Sequence, residues 1–253
     1  MYKVFETVDD VSRYTAQRLL SKVQASPDAV LGLATGSTME PVYACLLDLL
    51  QQHSAVDVSR LTTFNLDEYI GLGAEHTQSY RYYMCQHLFD QLNIPQSRVH
   101  LPDSLASDIE GACRAYSGAI NALGGLDLQL LGIGSNGHIG FNEPQTPFSR
   151  RTHIVELSEQ TRVDNGRFFT DQDEVPTHAI TMGIQDILDS REIVLVVTGQ
   201  HKAEIVAQLY HSAVDEALPA SALKRHANVT VVLDRDAAAL LPREAFDLNA
   251  LAG

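Results

Sequence analysis

The chain has 253 residues, of which 45% are hydrophobic and 20% are charged, and this size and composition suit one large α/β domain or two small ones. The formal net charge at pH 7 is −14, so the protein as a whole repels polyanions, and we expect neither nucleic acid nor a membrane surface as a partner. A small anionic substrate is compatible with this charge if it enters a locally positive pocket.

The cysteines and the first residues of the chain bear on its compartment. Cys45, Cys85 and Cys113 are an odd number, widely spaced, and form no CxxC pair, so they favour a reducing compartment over a disulfide framework. Residues 1–20 carry acidic side chains where a signal peptide has an apolar run, and no stretch of 18 apolar residues occurs. We therefore expect a cytoplasmic protein.

Short β-branched runs alternate with longer amphipathic stretches along the chain. In chain order the predicted elements are a helix (9–25), a buried strand ending in a Gly/Thr loop (29–38), a helix (39–53), a strand running into an acidic loop (60–69), a helix (79–92), a strand (126–134), a glycine-rich loop (135–144), a strand or sheet edge (153–158), a strand followed by a helix (178–190), the most hydrophobic strand (192–199), a helix (201–211) and a strand followed by a helix (228–241). This alternation predicts a mostly parallel sheet with helices on both faces. Without a linker or an internal repeat, we expect a single domain over residues 1–253.

Ligands of such folds bind beyond the carboxyl ends of the strands, so the loops that follow strands are the candidate site. The first of these loops contains Thr35, Gly36, Ser37 and Thr38 and leads into a helix. Free main-chain N–H groups and a helix N-terminus favour a phosphate there, although a plain helix N-cap turn explains the same residues.

The second loop places two carboxylates, Asp67 and Glu68, side by side after a strand. Neighbouring side chains of a strand point to opposite sides, so the two residues are expected to have different roles. One can face a substrate as a base while the other makes structural hydrogen bonds. A helix N-cap or a solvated turn is the alternative.

The third loop, 132–144, surrounds a single histidine, His138, with glycines, and Glu143 follows five residues later. Glycines let the main chain approach a ligand closely, and histidine is the side chain best matched to proton transfer near neutral pH. Glu143 can orient the ring and stabilise its cation. Acid–base chemistry is therefore the hypothesis for this loop.

Two basic residues, Arg167 and Lys202, are candidates for a phosphate clamp, although each taken alone is typical of a solvated surface charge. The ten histidines form no HxH or HExxH motif, and no Cys/His cluster has ligand spacing, so we expect no metal. The GxSxG motif of a serine hydrolase is also absent from the sequence.

Seven segments together resemble the glucosamine-6-phosphate deaminase (isomerase) family. They are LGLATGST, FNLDEYIGL, HTQSYRYYM, LGIGSNGHIGFNEP, TRVDNGRFF, HAITMGIQDIL and LVVTGQHKAEI, and they cover nearly the whole chain. The resemblance implies a three-layer Rossmann-like sandwich that uses no metal or organic cofactor. It also implies conversion of glucosamine 6-phosphate to fructose 6-phosphate and ammonia, a hydrolytic deamination of the ketol-isomerase type, in N-acetylglucosamine catabolism.

The resemblance implies a role for each candidate residue. Asp67 stands where the family has its enolisation base, His138 where it has the ring-opening acid–base, and Glu143 where it has the carboxylate partner of that histidine. Well-known enteric members carry Asp where this chain has Asn136, while shorter members also have Asn. The phosphate-binding positions are Thr35, Gly36, Ser37, Arg167 and Lys202. Composition, namely Gly166 and the polar run TDQDE, separately predicts that residues 145–175 cover the site as a lid.

Three alternatives remain open at this point. Galactosamine 6-phosphate differs from glucosamine 6-phosphate only at C4, and the FNLDEY form of the second loop favours glucosamine. A 6-phosphogluconolactonase would share the fold but has no use for a C2 base at Asp67. A catalytically inactive sugar-phosphate sensor is the third, and the chemically competent acid–base positions argue against it.

The segment after Glu143 generates a prediction about regulation. Where allosterically regulated members have Ser, Ser, Arg and Lys, this chain has Thr146, Pro147, His153 and Val155, which supply no fixed positive charge for a phosphate-bearing effector. We expect no strong activation by N-acetylglucosamine 6-phosphate. Substrate saturation curves with and without that ligand test this, and a large shift to lower substrate concentration would contradict it. A monomer or a homo-oligomer both remain possible.

Overall fold

The computed structural model describes residues 1–157, 162 and 175–246. Its strands are β1 (Tyr2–Phe5), β2 (Val30–Leu33), β3 (Thr62–Asn65), β4 (Asp67–Tyr69), β5 (Val99–His100), β6 (Leu128–Leu131), β7 (His153–Glu156), β8 (His178–Thr181), β9 (Ile193–Val197) and β10 (Val229–Asp234). Its α-helices are α1 (Val8–Ala25), α2 (Glu40–Gln52), α3 (Tyr80–His87), α4 (Ile109–Ala122), α5 (Ile184–Leu188) and α6 (Ala203–His211). The single-domain hypothesis for residues 1–253 stays a prediction, and most of the proposed lid lies outside the described residues.

A seven-stranded sheet in the order β1-β10-β9-β6-β2-β3-β5 forms the centre of the molecule, and every strand pair in it is parallel. Every residue of β2, β3, β6 and β9 is buried. Strands buried on both faces are typical of parallel sheets with helices on each side. The predicted mostly parallel α/β architecture is confirmed.

The direction of winding changes in the middle of this sheet. From β2 the chain passes through α2 to β3 on one side, whereas from β9 it passes through α6 to β10 on the other. Because such crossovers are right-handed, α2 and α6 lie on opposite faces. The reversal falls between the neighbouring strands β2 and β6, and the crevice beyond such a reversal is where ligands bind.

A second, antiparallel sheet in the order β4-β8-β7 adjoins the first one. The sequence predicted a strand running into an acidic loop over 60–69, but in the structure the acidic residues are themselves a strand, since the chain divides at Leu66 into β3 of the large sheet and β4 of the small sheet. The Leu66 N–H donates to the carbonyl of Leu33 (3.1 Å), and its carbonyl accepts from the N–H of Met182 (2.6 Å). One residue thus joins the two sheets immediately before Asp67.

Other predicted elements are also refined by the structure. The stretch 153–158 is the edge strand β7, but the helix expected after β10 is wrong, since the chain there makes turns. The Asp234 carboxylate accepts the N–H groups of Ala237 (2.9 Å) and Gly199 (3.0 Å), which fixes this turn beside the loop after β9. The elements β1, β5 and α4 were not predicted. None of the described helices is long and apolar enough to cross a membrane.

A core substitution tests the central position of β6. Leu130 is 0% exposed and Leu240 is 55% exposed. Leu130→Ala should lower the free energy of unfolding by about 2–5 kcal/mol, because it removes buried methyl groups and leaves a cavity. Leu240→Ala, as the matched control, should change it by less than about 0.5 kcal/mol. Denaturant unfolding measures both values, and equal values would contradict the assigned core.

Candidate active site

A cavity of about 710 Å³ opens at the carboxyl edge of the large sheet, where the loops after β2, β3, β6 and β9 meet. Six of the predicted site residues line it, namely Thr35, Gly36, Ser37, Asp67, His138 and Lys202. The residues come from four loops that are far apart in sequence. The structure therefore brings the predicted base and the predicted histidine to one shared space.

The loop after β2 has the geometry of an anion site. Gly36 adopts φ 106°, a left-handed conformation that glycine allows without strain. The N-cap residue of helix α2 is Met39, and no side chain accepts a hydrogen bond from the first turn of this helix. The alternative that the hydroxyl residues of this loop simply cap the helix is therefore wrong. The N–H groups of Ser37 and Thr38 meet no acceptor among the described residues. Ser37, Thr38 and the N-terminus of α2 line the cavity, and main-chain N–H groups at a helix N-terminus favour an anion.

Lys202 supplies positive charge beside this loop. It ends a 3-10 helix, Gln200–Lys202, that follows β9, and its Nζ donates to the carbonyl of Ile133 (2.9 Å). Lys202 is the one lysine or arginine among the described residues that line the cavity. Arg167, the other proposed phosphate ligand, lies outside the described residues.

The two adjacent carboxylates have different environments, as the alternation of a strand requires. Glu68 is 3% exposed, and its carboxylate accepts the N–H groups of Tyr69, Tyr80 and Arg81, each at 2.9 Å. Two of these donors belong to the first turn of α3, so Glu68 fixes that helix to β4. Asp67 points the other way, into the cavity.

Burial changes the proton affinity of Asp67. The residue is 7% exposed, and within the described part of the chain no group donates a hydrogen bond to its carboxyl group. Burial, with a smaller contribution from the charge of Glu68, raises the pKa of Asp67 from 3.8 to about 8. A carboxyl group that titrates near neutral pH is suited to accept and return a proton.

Glycines in the loop after β6 hold His138 close to the main chain. A Cβ added to Gly134 would lie 2.2 Å from the His138 ring, so only glycine leaves room for the imidazole there. Gly140 has φ 55°, and a Cβ added to it would lie 3.6 Å from Asp67 Oδ2. The loop 134–140 therefore passes close to both His138 and Asp67.

Asn136 and Glu143 do not line the cavity, but both lie next to His138. The Asn136 Nδ2 donates to Glu143 Oε2 (2.6 Å), and its Oδ1 accepts the N–H of His138 (3.1 Å). The Glu143 Oε1 lies 3.8 Å from His138 Nδ1. Asn136 thus links the Glu143 carboxylate to the main chain of His138, and Glu143 is near enough to stabilise a protonated ring.

An aromatic wall beside Asp67 was missed by the sequence analysis. Tyr69, Tyr80 and Phe141 line the cavity with ring centroids 4.9–6.1 Å apart, and the Tyr80 hydroxyl donates to the Tyr69 hydroxyl (3.1 Å). Burial raises the pKa of both tyrosines. The position of Tyr69 two residues after Asp67, on the same side of a strand, was the available signal.

No group of three His, Cys, Asp or Glu side chains within 1–157, 162 and 175–246 is arranged to hold a metal ion. The expectation that the protein uses no metal or organic cofactor stays a prediction.

The fold and the cavity define a doubly wound α/β protein whose switch-point cavity is lined by an aspartate, a histidine, a lysine and a glycine-containing loop at a helix N-terminus. A model of the family described as glucosamine-6-phosphate isomerases/6-phosphogluconolactonase matches residues 4–232. The chain belongs to this family.

Relatives agree with this assignment over nearly their whole lengths. Glucosamine-6-phosphate deaminase of Shouchella clausii is 50% identical over 237 residues, which is 94% of this chain and 96% of that protein. Glucosamine-6-phosphate deaminase 1 of Bacillus subtilis is 46% identical, with 94% of this chain and 98% of that protein covered.

Solved structures show the same fold. A monomeric glucosamine-6-phosphate deaminase superposes with a TM-score of 0.92 at 46% identity, with 94% of this chain and 99% of that chain covered. The 6-phosphogluconolactonase of Trypanosoma brucei has a TM-score of 0.75 at 22% identity, with 96% and 98% covered, and it shares the fold.

The raised pKa of Asp67 makes a prediction about stability. Because the pKa of Asp67 is about 8 in the folded state and the ordinary value of an aspartate is 3.8, the folded state binds more protons between these pH values, and the free energy of unfolding falls as pH rises. Asp67→Asn removes this titration. The stability of the variant relative to the wild type should rise by roughly 1.4 kcal/mol per pH unit from about pH 5 to about pH 7.

Denaturant unfolding across this pH range measures the difference, and Asp48→Asn, a change at an exposed carboxylate of α2, is the control. The control should follow the wild type at every pH. A difference between Asp67→Asn and the wild type that does not depend on pH would show that Asp67 is ionised throughout the range.

Proposed function

We propose that this protein is a glucosamine-6-phosphate deaminase that acts in amino-sugar metabolism and converts glucosamine 6-phosphate and water to fructose 6-phosphate and ammonia. The observation that carries the proposal is the shared cavity, in which Asp67 and His138 stand with an anion loop and Lys202. The names of relatives about 50% identical over most of the chain support it.

Ring opening is assigned to His138. The substrate is a closed hemiacetal, so a proton must leave the anomeric hydroxyl and another must reach the ring oxygen. One imidazole can do both in turn, as an acid and a base. Glu143, whose Oε1 lies 3.8 Å from His138 Nδ1, stabilises the ring while it is protonated, and Asn136 holds that carboxylate in place.

Proton transfer between C2 and C1 is assigned to Asp67. As a carboxylate it removes the C2 proton while O1 gains a proton, which gives the enolamine. It then returns the proton to C1, and the nitrogen, which has lost one proton, is left as the C2 iminium. The substrate brings a 2-ammonium group, and a nearby cation favours the ionised form of a carboxyl group, so binding lowers the pKa of Asp67 from its value in the empty cavity. The same cation makes the C2 proton more acidic.

Release of ammonia completes the reaction. The isomerised product has an iminium group at C2, water adds to this carbon, and ammonia leaves as the C2 carbonyl of fructose 6-phosphate forms. A water molecule is consumed and a C–N bond is broken, which is why we propose hydrolytic deamination coupled to isomerisation.

The phosphate group is assigned to the loop after β2 and to Lys202. The N–H groups of Ser37 and Thr38, the hydroxyl of Thr35 and the flexible backbone at Gly36 suit a phosphate oxygen cluster. We include Arg167 in this clamp on the basis of the resemblance alone. Binding energy from the phosphate, remote from C1 and C2, holds the sugar against the acid–base groups.

The alternatives differ in what they require of Asp67. Lactone hydrolysis needs no C2 base, and the lactonase structures share only the fold at 22% identity. The deaminases at 46–50% identity support glucosamine over galactosamine as the parent sugar. We further propose a cytoplasmic enzyme, and a monomer, as in the similar monomeric deaminase.

An assay with Asp67→Asn tests the proposal. Wild-type protein should release ammonia from glucosamine 6-phosphate, and faster than from galactosamine 6-phosphate. The variant should lose at least about 100-fold in kcat, because Asn cannot accept the C2 proton. Asp48→Asn, at an exposed position, should keep wild-type activity. Unchanged deamination by Asp67→Asn, or hydrolysis of 6-phosphogluconolactone as the main wild-type activity, would contradict the proposal.

A further inference from the structure

A segment near the end of the described chain, residues 215–225, contacts both ends of the loop that carries His138 and Glu143. We call it the brace segment. It contains the 3-10 helix Pro219–Arg225 and contributes no residue to the cavity lining. Its hydrogen bonds reach residues 137, 145 and 148, which flank the acid–base residues on either side.

The first contact is at Gly137, directly before His138. The N–H of Ala220 donates to the carbonyl of Gly137 (2.9 Å). Gly137 has φ 84°, and a Cβ added to it would lie 2.1 Å from Leu218 Cδ1. The brace segment therefore packs directly on the backbone of the residue that precedes the histidine.

The second contact is made by Glu216, just after Glu143. The Glu216 carbonyl accepts the N–H of Gln145 (2.8 Å), and its Oε1 accepts the N–H of Phe148 (3.1 Å). Gln145 has φ 75° and is the one non-glycine residue with positive φ in the part of the chain that the structure describes. A backbone conformation of this kind persists only where its surroundings hold it.

A buried hydroxyl links the two ends of the turn 215–221 within the brace segment. Ser221 is 0% exposed, and its Oγ donates to the carbonyl of Asp215 (2.8 Å) and accepts the N–H of Asp215 (2.8 Å). Arg225 lies over the Phe148 ring, 4.8 Å from its centroid. Glu216 thus lies in a turn whose two ends are joined by hydrogen bonds.

We propose that Glu216 is a positioning residue for the proposed acid–base pair, which holds residues 145–148 so that the Glu143 carboxylate stays beside His138. The inference rests on the proposed function of this site. It follows from the chain path, because Glu143 is two residues from Gln145, and the Thr146 N–H (3.0 Å) and hydroxyl (2.7 Å) both donate to the Glu143 carbonyl. Displacement of this turn moves the carboxylate that the histidine needs.

The test compares Glu216→Ala, Glu216→Gln and Ser221→Ala with the wild type, in steady-state kinetics on glucosamine 6-phosphate. Glu204→Ala, a change of an exposed glutamate on α6, is the matched control. Glu216→Ala should lower kcat about tenfold or more, since small displacements of acid–base groups are costly, while KM stays within about twofold because the phosphate site is untouched. Glu216→Gln keeps an oxygen acceptor for Phe148 and should restore most of kcat.

The outcomes separate the two hypotheses. If wild-type protein does not deaminate glucosamine 6-phosphate, the proposed function is wrong. If it does, and Glu216→Ala has the kcat of Glu204→Ala, the positioning role is wrong while the function stands. Equal losses in the Ala and Gln variants would also overturn it, since the hydrogen bond would then not matter. Ser221→Ala keeps the Glu216 side chain but removes both hydrogen bonds to Asp215, the residue before it. If Glu216→Ala fails to fold, a fall in kcat of Ser221→Ala with unchanged KM supports the role of the brace segment, and the kcat of Glu204→Ala in this variant overturns it.

Discussion

The site depends on the way the chain leaves the large sheet at Leu66. Because successive side chains of a strand alternate, only one of the two carboxylates that follow can face the cavity. Glu68 is committed to three main-chain N–H groups, two of them at the start of α3. This arrangement fixes the register of β4 and leaves Asp67 buried in the cavity, where the low polarity raises its pKa. The hydrogen bonds of Glu68 therefore determine that Asp67 is the carboxyl group that lines the cavity.

Reversal of the winding between β2 and β6 determines where the remaining groups meet. The anion loop follows β2, the histidine loop follows β6, and adjacent parallel strands bring their carboxyl ends to the same edge. Gly134 leaves room for the imidazole, since a Cβ there would lie 2.2 Å from the ring, while Gly36 and Gly140 supply the positive φ angles of the two loops. A sugar phosphate suits this cavity because its phosphate needs anion-binding groups while its reacting carbons, a few bonds away, need acid–base groups.

Fold alone does not select the chemistry, since 6-phosphogluconolactonases at 22% identity share this architecture. The cavity of this chain is lined by a buried carboxyl group and by an imidazole that has a carboxylate 3.8 Å away. That partner, Glu143, does not line the cavity; Asn136 donates to its carboxylate, and the brace segment accepts hydrogen bonds from residues 145 and 148, which follow it. Under the proposed mechanism, activity depends on residues that do not contact the sugar, because a carboxylate stabilises an imidazolium only at short distance.

The sequence by itself determined the parallel α/β fold, because buried strands and amphipathic helices alternate with different periods. It also identified Asp67, His138 and the glycine loop, because acid–base side chains after buried strands form a local pattern. The division of residues 60–69 between two sheets, the commitment of Glu68 to α3 and the contacts of Glu216 were decided only by tertiary structure. All three features depend on hydrogen bonds from main-chain groups of distant segments. Because nearly every residue carries the same main-chain N–H and carbonyl groups, the sequence does not show which of them will form these bonds.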